Sequence, residues 1–231
     1  MAGKSPVILI LGSGPNIGHH VARTFAAKGY KVALASRSLK EEDSNANQVH
    51  ISADLSDPHS VKGIFSKVKA SLNLPSVVVY NVAAVTPNDP ADPLSLPLSD
   101  FSRDFNINTT SAFVAAQQAA LGFEQLPDSS SKTFIYTGNI LDSTTIANLL
   151  DLGVGKSATA HIIRSAAAAY SNKGFKFYYA DERRTDGAPA YSEIDGEAHG
   201  KFYAELAEHE FQGPWKQTFV KDMGYKLFPS A

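Results

Sequence analysis

Residues Val7 to Arg37 read VILILGSGPNIGHHVARTFAAKGYKVALASR, and this stretch admits few folds. Val7 to Leu11 is an unbroken apolar run, the pattern of a strand buried on both faces of a parallel sheet. Gly12 and Gly14 then predict a tight turn. Ile17 to Lys28 has helical spacing, with Ile17, Val21, Phe25 and Ala26 on one side, and Gly29 is a helix stop. Lys31 to Ser36 is a second strand. A strand, glycine turn, helix and strand within about thirty residues is the setting of a dinucleotide site.

The free N–H groups and positive dipole end of the helix attract a pyrophosphate. The turn must approach the phosphates closely, so side chains are a liability there. Gly12 and Gly18 bracket it and Gly14 relieves it, which puts Gly12, Ser13, Gly14, Asn16, Ile17 and Gly18 in the cofactor-binding set. A site for NAD usually ends its second strand with a carboxylate that grips the ribose hydroxyls. Here the strand ends Ala35-Ser36-Arg37. An acid would repel a 2′-phosphate; Arg37 offers a forked donor and Ser36 a hydroxyl, so the expected cofactor is NADP(H).

The rest of the chain alternates strands and helices. Strands are expected at Val49 to Ala53, Ser76 to Asn81, Lys132 to Thr137, Phe175 to Ala180 and Gln217 to Val220. A helix capped by Asp57, with Pro58 in its first turn, runs to about Ser71. Ser99 is expected to cap a long helix to about Gln125. Further helices cover about Asp151 to Ser171 and Glu197 to Glu208. The alternation predicts one α/β domain over residues 1–231, a Rossmann-type doubly wound parallel sheet with helices on both faces. The Thr86 to Pro97 loop suits a substrate-side wall. Residues 181–215 are expected to form a substrate lid, with Tyr178, Tyr179 and Tyr191 as aromatic walls. The alanine-rich stretches 112–120 and 158–169 fit either tight internal packing or a helix interface in a homo-oligomer, a dimer or tetramer.

A formal net charge of -2 argues against nucleic acid and anionic membrane as partners and leaves a small-molecule substrate. There are no cysteines, which excludes disulfides, thiolate catalysis and cysteine metal ligands. No metal site is expected, because the His19-His20 pair lacks ligand spacing. Met1 to Pro6 is short and polar, neither signal peptide nor membrane span, so the cytoplasm is the expected location. Asn108-Thr109-Thr110 matches a glycosylation sequon that carries no weight without secretion. Gly155-Lys156-Ser157 resembles the end of a Walker loop, but residue 150 is leucine. No Gly-x-Ser-x-Gly elbow supports a hydrolase.

Over nearly its full length the chain resembles a short-chain dehydrogenase/reductase. Gly12-Ser13-Gly14-Pro15-Asn16-Ile17-Gly18 resembles that family's glycine turn, with Asn16 in place of the middle glycine. The resemblance assigns Asp54-Leu55 to the adenine edge, Asn81-Val82-Ala83-Ala84 to the stretch after the fourth strand, and Asn108 to a water-holding proton relay. Lys156 matches the lysine of the Tyr-x-x-x-Lys motif, but the tyrosine's place is Leu152. Gly138 stands in the place of the family's serine, with Thr137 as a misaligned substitute.

Carbonyl reduction leaves an alkoxide that needs a proton, and leucine cannot donate one. Three outcomes stay open. The protein binds cofactor without turnover; it uses another acid, such as Asp151; or its substrate needs no proton, as an iminium ion does. A further similarity, carried by Thr133 to Asn139, Asp151 to Ala160, Asp181-Glu182-Arg183 and Gln212-Gly213-Pro214-Trp215, is to a fungal subgroup of NADPH-dependent reductase/Diels–Alderases of bridged prenylated indole alkaloid biosynthesis. That similarity implies iminium reduction, followed in those relatives by cycloaddition, and assigns Asp151 as the working carboxylate; in the plain helix reading Asp151 is an N-cap. The arginine those relatives pair with it is absent from Ala115-Ala116-Gln117-Gln118. The reading is thus an NADP(H)-dependent reductase with catalytic candidates Asp151, Lys156 and Asn108 and cofactor candidates that add Ser36, Arg37, Asp54, Leu55 and Asn81 to the glycine turn. A cofactor-assisted pericyclase and an inactive NADP(H) sensor are its rivals.

Overall fold

A computed structural model describes residues 5–228. Most of the polar N-terminal segment and the last three residues of the tail lie outside that range. The first two strands and the helix between them form as the apolar runs require: β1 (Val7–Leu11), α1 (Ile17–Ala27) and β2 (Lys31–Ser36). Gly29 closes α1 in the left-handed region, with φ +84°. β3 (Gln48–Ser52), α2 (Ser60–Ser71) and β4 (Val77–Tyr80) follow. The start of α2 corrects the sequence reading. Asp57 Oδ1 accepts from His59 N at 2.9 Å within a separate turn, and the helix begins after it.

The long helix expected from Ser99 is three pieces: α3 (Leu98–Phe105), a π-helical turn at Asn106–Thr110, and α4 (Ser111–Phe123). Pro97, not Ser99, precedes its first residue, and no side chain caps it. A π turn misdirects backbone carbonyls, which need partners when buried. Tyr80 Oη donates to Ile107 O at 2.5 Å, Tyr136 Oη to Asn108 O at 3.0 Å, and Thr159 Oγ1 to Asn108 O at 2.8 Å. β5 (Thr133–Thr137), α5 (Leu150–Tyr170), β6 (Lys176–Arg183), α6 (Gly196–Glu208), β7 (Lys216–Val220) and β8 (Gly224–Tyr225) complete the chain.

Among the described residues the strands form one sheet in the order β3-β2-β1-β4-β5-β6-β7-β8, parallel except for β8. The order reverses between β1 and β4, where such sheets leave a crevice at their carboxyl ends. One apolar layer joins the sheet to α2, α4 and α5; the other joins it to α1 and α6. Ala112, Ala115, Ala116 and Ala119 are in the first layer, so much of the alanine-rich stretch is internal packing. No helix among the described residues is long and apolar enough to cross a membrane.

β6 runs three residues past the expected end, so Asp181, Glu182 and Arg183 belong to the sheet. Gly196–Glu208 packs as α6 against α1, at Gly196 and Gly200, where an added Cβ would press on Asn16 and Thr24 at 2.5 Å. Of residues 181–215, Tyr191, Ser192 and Ile194 line the crevice over the glycine turn. Tyr178 and Tyr179 are fully buried core residues, not pocket walls, whereas Tyr191 is 60% exposed. Trp215 packs edge-on against Tyr179, as a structural tryptophan.

Candidate active site

The carboxyl edge of the sheet carries a chain of three openings. Gly12, Ser36, Arg37, Asp54, Leu55 and Val82 to Ala84 help wall the first, of about 520 Å³. The second, of about 430 Å³, lies over Gly14 to Ile17 and Asn81, with Tyr191 and Ile194 opposite. The third holds about 200 Å³ between the ends of β5 and β6 and the start of α5, and Gly138, Leu152, Asp181, Glu182 and His199 are on its wall.

The glycine turn fits a dinucleotide on its own geometry. Gly12 has φ +94°, and a Cβ there would lie 2.6 Å from Asn81 O. A Cβ on Gly18 would lie 2.6 Å from Ser13 Cα, so α1 can approach the turn only through glycine. Gly14 is different: a Cβ there meets nothing within 4 Å, which leaves that side open for a ligand. Ser13 Oγ is buried without a hydrogen-bond partner, an orphan a phosphate oxygen would satisfy. No acid sits in the first turn of α1 to repel an anion.

Three side chains in the cofactor set are already engaged. Asn16 Nδ2 donates to Ile194 O at 3.0 Å while its Oδ1 accepts from Gly196 N at 2.9 Å, tying the turn to the segment before α6. Asn81 Nδ2 donates to Gly12 O at 2.9 Å and so braces the turn from behind. Asp54 Oδ1 accepts from Ser56 N at 2.9 Å, which holds its carboxyl below the usual range. The Arg37 side chain is exposed beside it at the mouth of the first opening.

The catalytic candidates do not converge on the third opening. Leu152 stands on its wall, and Lys156, one turn on, is buried behind it. Lys156 Nζ donates to Thr137 O at 2.9 Å and lies 4.5 Å from the centre of the Tyr136 ring. Burial lowers its pKa to about 7, against the opposing pull of Asp181. Asp151 is not on that wall and is not an N-cap: it lies inside α5, where Oδ1 accepts from Leu152 N at 2.6 Å and Oδ2 from Thr86 N at 2.7 Å. Thr86 links it to Asp104 of α3, since Thr86 Oγ1 donates to Asp104 Oδ2 at 2.8 Å. Burial and then Asp104 raise Asp151, while Asp104 is held low by hydrogen bonds from Asp151, Arg103 and Thr86 that outweigh its own burial. An arginine of the preceding helix does join this network, but it is Arg103, and it bonds Asp104 and Thr86 rather than Asp151.

Asn108 clamps the loop after β4 instead of facing the opening. Its Oδ1 accepts from Ala84 N at 3.0 Å and its Nδ2 donates to Ala84 O at 2.8 Å. It is fully buried, which also closes the sequon to a glycan. Thr137 Oγ1 is paired with Tyr203 Oη at 2.9 Å and is no stand-in for a serine.

Sequence reasoning missed Asp181 and Glu182 as pocket groups. Both are buried at the end of β6. Burial lifts Asp181 to about 6, although Arg183 Nε sits 2.5 Å from its Oδ2. Burial lifts Glu182 to about 7. The available signal was two carboxyls directly after the apolar run Phe177 to Ala180, where a buried strand meets the carboxyl edge. His199, also on the wall of the third opening, packs edge-on against Tyr203 and Phe219, and burial lowers it to about 4.

A parallel sheet with a glycine turn and helix N-terminus at its reversal point defines a Rossmann-type α/β protein with the geometry of a dinucleotide site. A family model described as enoyl-(acyl carrier protein) reductase matches residues 12–179. The chain is 48% identical over 238 residues to a short chain dehydrogenase/reductase, dmxR12, of Cryptosporiopsis sp. (strain 8999), covering 98% of this chain and 96% of that one. It belongs to the short-chain dehydrogenase/reductase family. The fold is similar to that of a metagenomic short-chain oxidoreductase in complex with NADP, with TM-score 0.81 and 15% identity over 95% of this chain and 99% of that one. It is likewise similar to ElxO with NADP bound, with TM-score 0.79 and 16% identity over 94% and 98%.

Proposed function

We propose that this protein is an NADPH-dependent reductase of an iminium ion or a similarly activated small molecule. The observation that carries the reading is Leu152 on the wall of the third opening, one helical turn before buried Lys156, with no hydroxyl at Gly138. Ser13, Gly14 and the N-terminus of α1 would hold the pyrophosphate, Asp54 and Leu55 the adenine side, and Ser36 and Arg37 the 2′-phosphate. NADPH bound there supplies a hydride. Hydride addition to C=N⁺ gives a neutral amine without a proton, so a wall of leucine is sufficient. Lys156 fixes the shape of the β5 end through Thr137. Asp151 acts behind the wall, holding Thr86 and the start of α5 in place. Residues 184–195, with Tyr191 exposed toward the opening, form the substrate-side cover.

The relatives whose names are given support an oxidoreductase, and the two NADP complexes support the cofactor. We also place the protein in fungal secondary metabolism, the setting that the similarity to the alkaloid reductases implies. The cytoplasm is the setting where NADPH is available. We place a homo-oligomer contact on the outer face of α4 and α5, where Phe113 and Leu121 are about half exposed.

The test is transfer of deuterium from NADPH labelled at the transferable position, read by mass spectrometry on cyclic iminium ions and matched ketones. Deuterium in the amines and not in the alcohols is expected. Deuterium in alcohols alone, or none despite bound NADPH, overturns the reading. An unlabelled isomer of a prenylated indole substrate would establish the cofactor-assisted pericyclase instead.

A further inference from the structure

Three carboxyl groups gather around the third opening and the start of α6, and two of them have a cation. Asp181 is paired with Arg183 at 2.5 Å. Asp195 is paired with Lys221 at 2.6 Å. Glu182 has none: among the described residues the one basic side chain at ion-pair distance is His199, with Nδ1 3.4 Å from Oε2. That ring is not a cation at neutral pH, since burial lowers it to about 4. Its Nδ1 carries the hydrogen, because it donates to the carbonyl of Asp195 at 2.8 Å. The side chain of Glu182 is 4% exposed, and its one hydrogen bond is from Asp195 N at 2.8 Å.

The wall around Glu182 offers no remedy. Neither lysine nor arginine lines the opening, and Ile17, Leu141, Ile146, Leu149, Leu152 and Ile194 make most of it apolar. A buried carboxylate without a counter-ion is costly and takes up a proton instead. We propose that Glu182 is the specificity-determining group of this pocket, and that the counter-ion it lacks is the cationic nitrogen of the ligand. The ligand class is a compact organic cation with an apolar body. This rests on the reading of the third opening as the substrate site and narrows it from activated electrophiles in general to positively charged ones.

The groups facing Glu182 are His199 and Tyr203 of α6, Asp195 and Lys221 near its open end, and Asp181 on its own strand. His199 and Tyr203 stay uncharged near neutrality. Lys221 opposes Asp195, and Asp181 adds to the upward shift of Glu182. Glu182 therefore governs the local charge. Its proton is held up to about 7 by burial, so cation binding below that pH must expel the proton.

Choline and its neutral isostere 3,3-dimethyl-1-butanol provide the test, by calorimetry on the full chain without cofactor. Choline's charge does not titrate, so any pH dependence belongs to the protein. The expected result is choline binding at about pH 8 that weakens by about tenfold per unit below pH 7, with about one proton released per choline bound near pH 6. The isostere should bind weakly at every pH. Glu182→Gln should abolish both the pH dependence and the preference for charge while circular dichroism stays unchanged. Equal binding of the two probes, no choline binding, or wild-type binding by the variant overturns the proposal. Wild-type proton release alone tests it even where the variant does not fold. Deuterium transfer to iminium ions without choline binding sinks this inference only; Glu182-dependent choline binding without deuterium transfer sinks only the reductase reading.

Discussion

A Cβ placed on Gly138 would lie 2.1 Å from Cε1 of Tyr179. The space a side chain at 138 would need is thus filled from the neighbouring strand by an aromatic ring. That ring is held there: Tyr179 Oη donates to Asn139 O at 2.8 Å and accepts from Asn139 N at 3.1 Å, and Trp215 covers its other side. Glycine at 138 and the buried Tyr179 ring are one structural feature.

Gly138→Ser alone should therefore destabilise the fold, by about 1–3 kcal/mol as overpacking does. The melting temperature should fall by about 2–4 °C per kcal/mol for a chain of this size. In a Tyr179→Ala background, itself less stable by about 3–5 kcal/mol for the lost buried ring, the added cost of Gly138→Ser should shrink, because the space the serine needs is open. Thermal melts of the two single variants and the double variant measure the coupling; additive effects would show that the two residues do not compete for the space.

Leu152→Tyr puts a phenol one turn before Lys156, whose ammonium form would steady a phenolate. Reduction of simple ketones with NADPH should appear or rise, with binding of NADPH unchanged. Initial rates against a ketone panel check this. An inert variant that still binds NADPH would mean that the missing phenol is not what limits the site.

Arg37 is exposed at the mouth of the first opening, with no acid at the end of β2. Arg37→Ala should weaken NADPH by roughly tenfold or more, the scale of a charge-assisted hydrogen bond, and leave NADH nearly unchanged. Fluorescence titration of both cofactors gives the ratio. Added salt should narrow the wild-type preference.

Glu182 has a raised pKa in the folded state, so its contribution to stability is full below its unfolded value of 4.5 and lost as pH rises through about 7. Glu182→Gln cannot ionise. The variant should match the wild type near pH 4.5 and exceed it by about 1–3 kcal/mol above pH 7, with the gap opening between those limits. Comparing the two chains at each pH cancels the opposite slopes of Lys156 and His199, whose pKa values are lowered. Denaturant melts across that range provide the measurement, and a gap that is flat with pH would count against a buried, unpaired Glu182.

The fold was legible because its signals are local. Val7 to Leu11, Gly12, Gly18 and Gly29 each report a backbone need that holds wherever the strand, turn and helix are placed. The departure at Leu152 was legible for the same reason, since a fixed interval of four residues on a helix is one turn. Less local features were not. The π turn at Asn106–Thr110 shows no break in helical composition; it is sustained by Tyr80, Tyr136 and Thr159 from other elements.

By itself, then, the sequence determined the doubly wound sheet, the glycine turn and the leucine one helical turn before Lys156. Periodicity, glycine geometry and side-chain chemistry act over a few residues and need no partner from afar. The tertiary structure alone decided which acids face the pocket. Asp151 turned to Thr86 and Asp104 because the α3–α5 contact presents their groups to it, and Asn108 was taken up by Ala84. Asp181 and Glu182 reached the opening because β6 ran on beside β7 for three more residues. Whether a carboxyl is paired, buried or free depends on charges brought from distant parts of the chain, and residue order does not encode those distances locally.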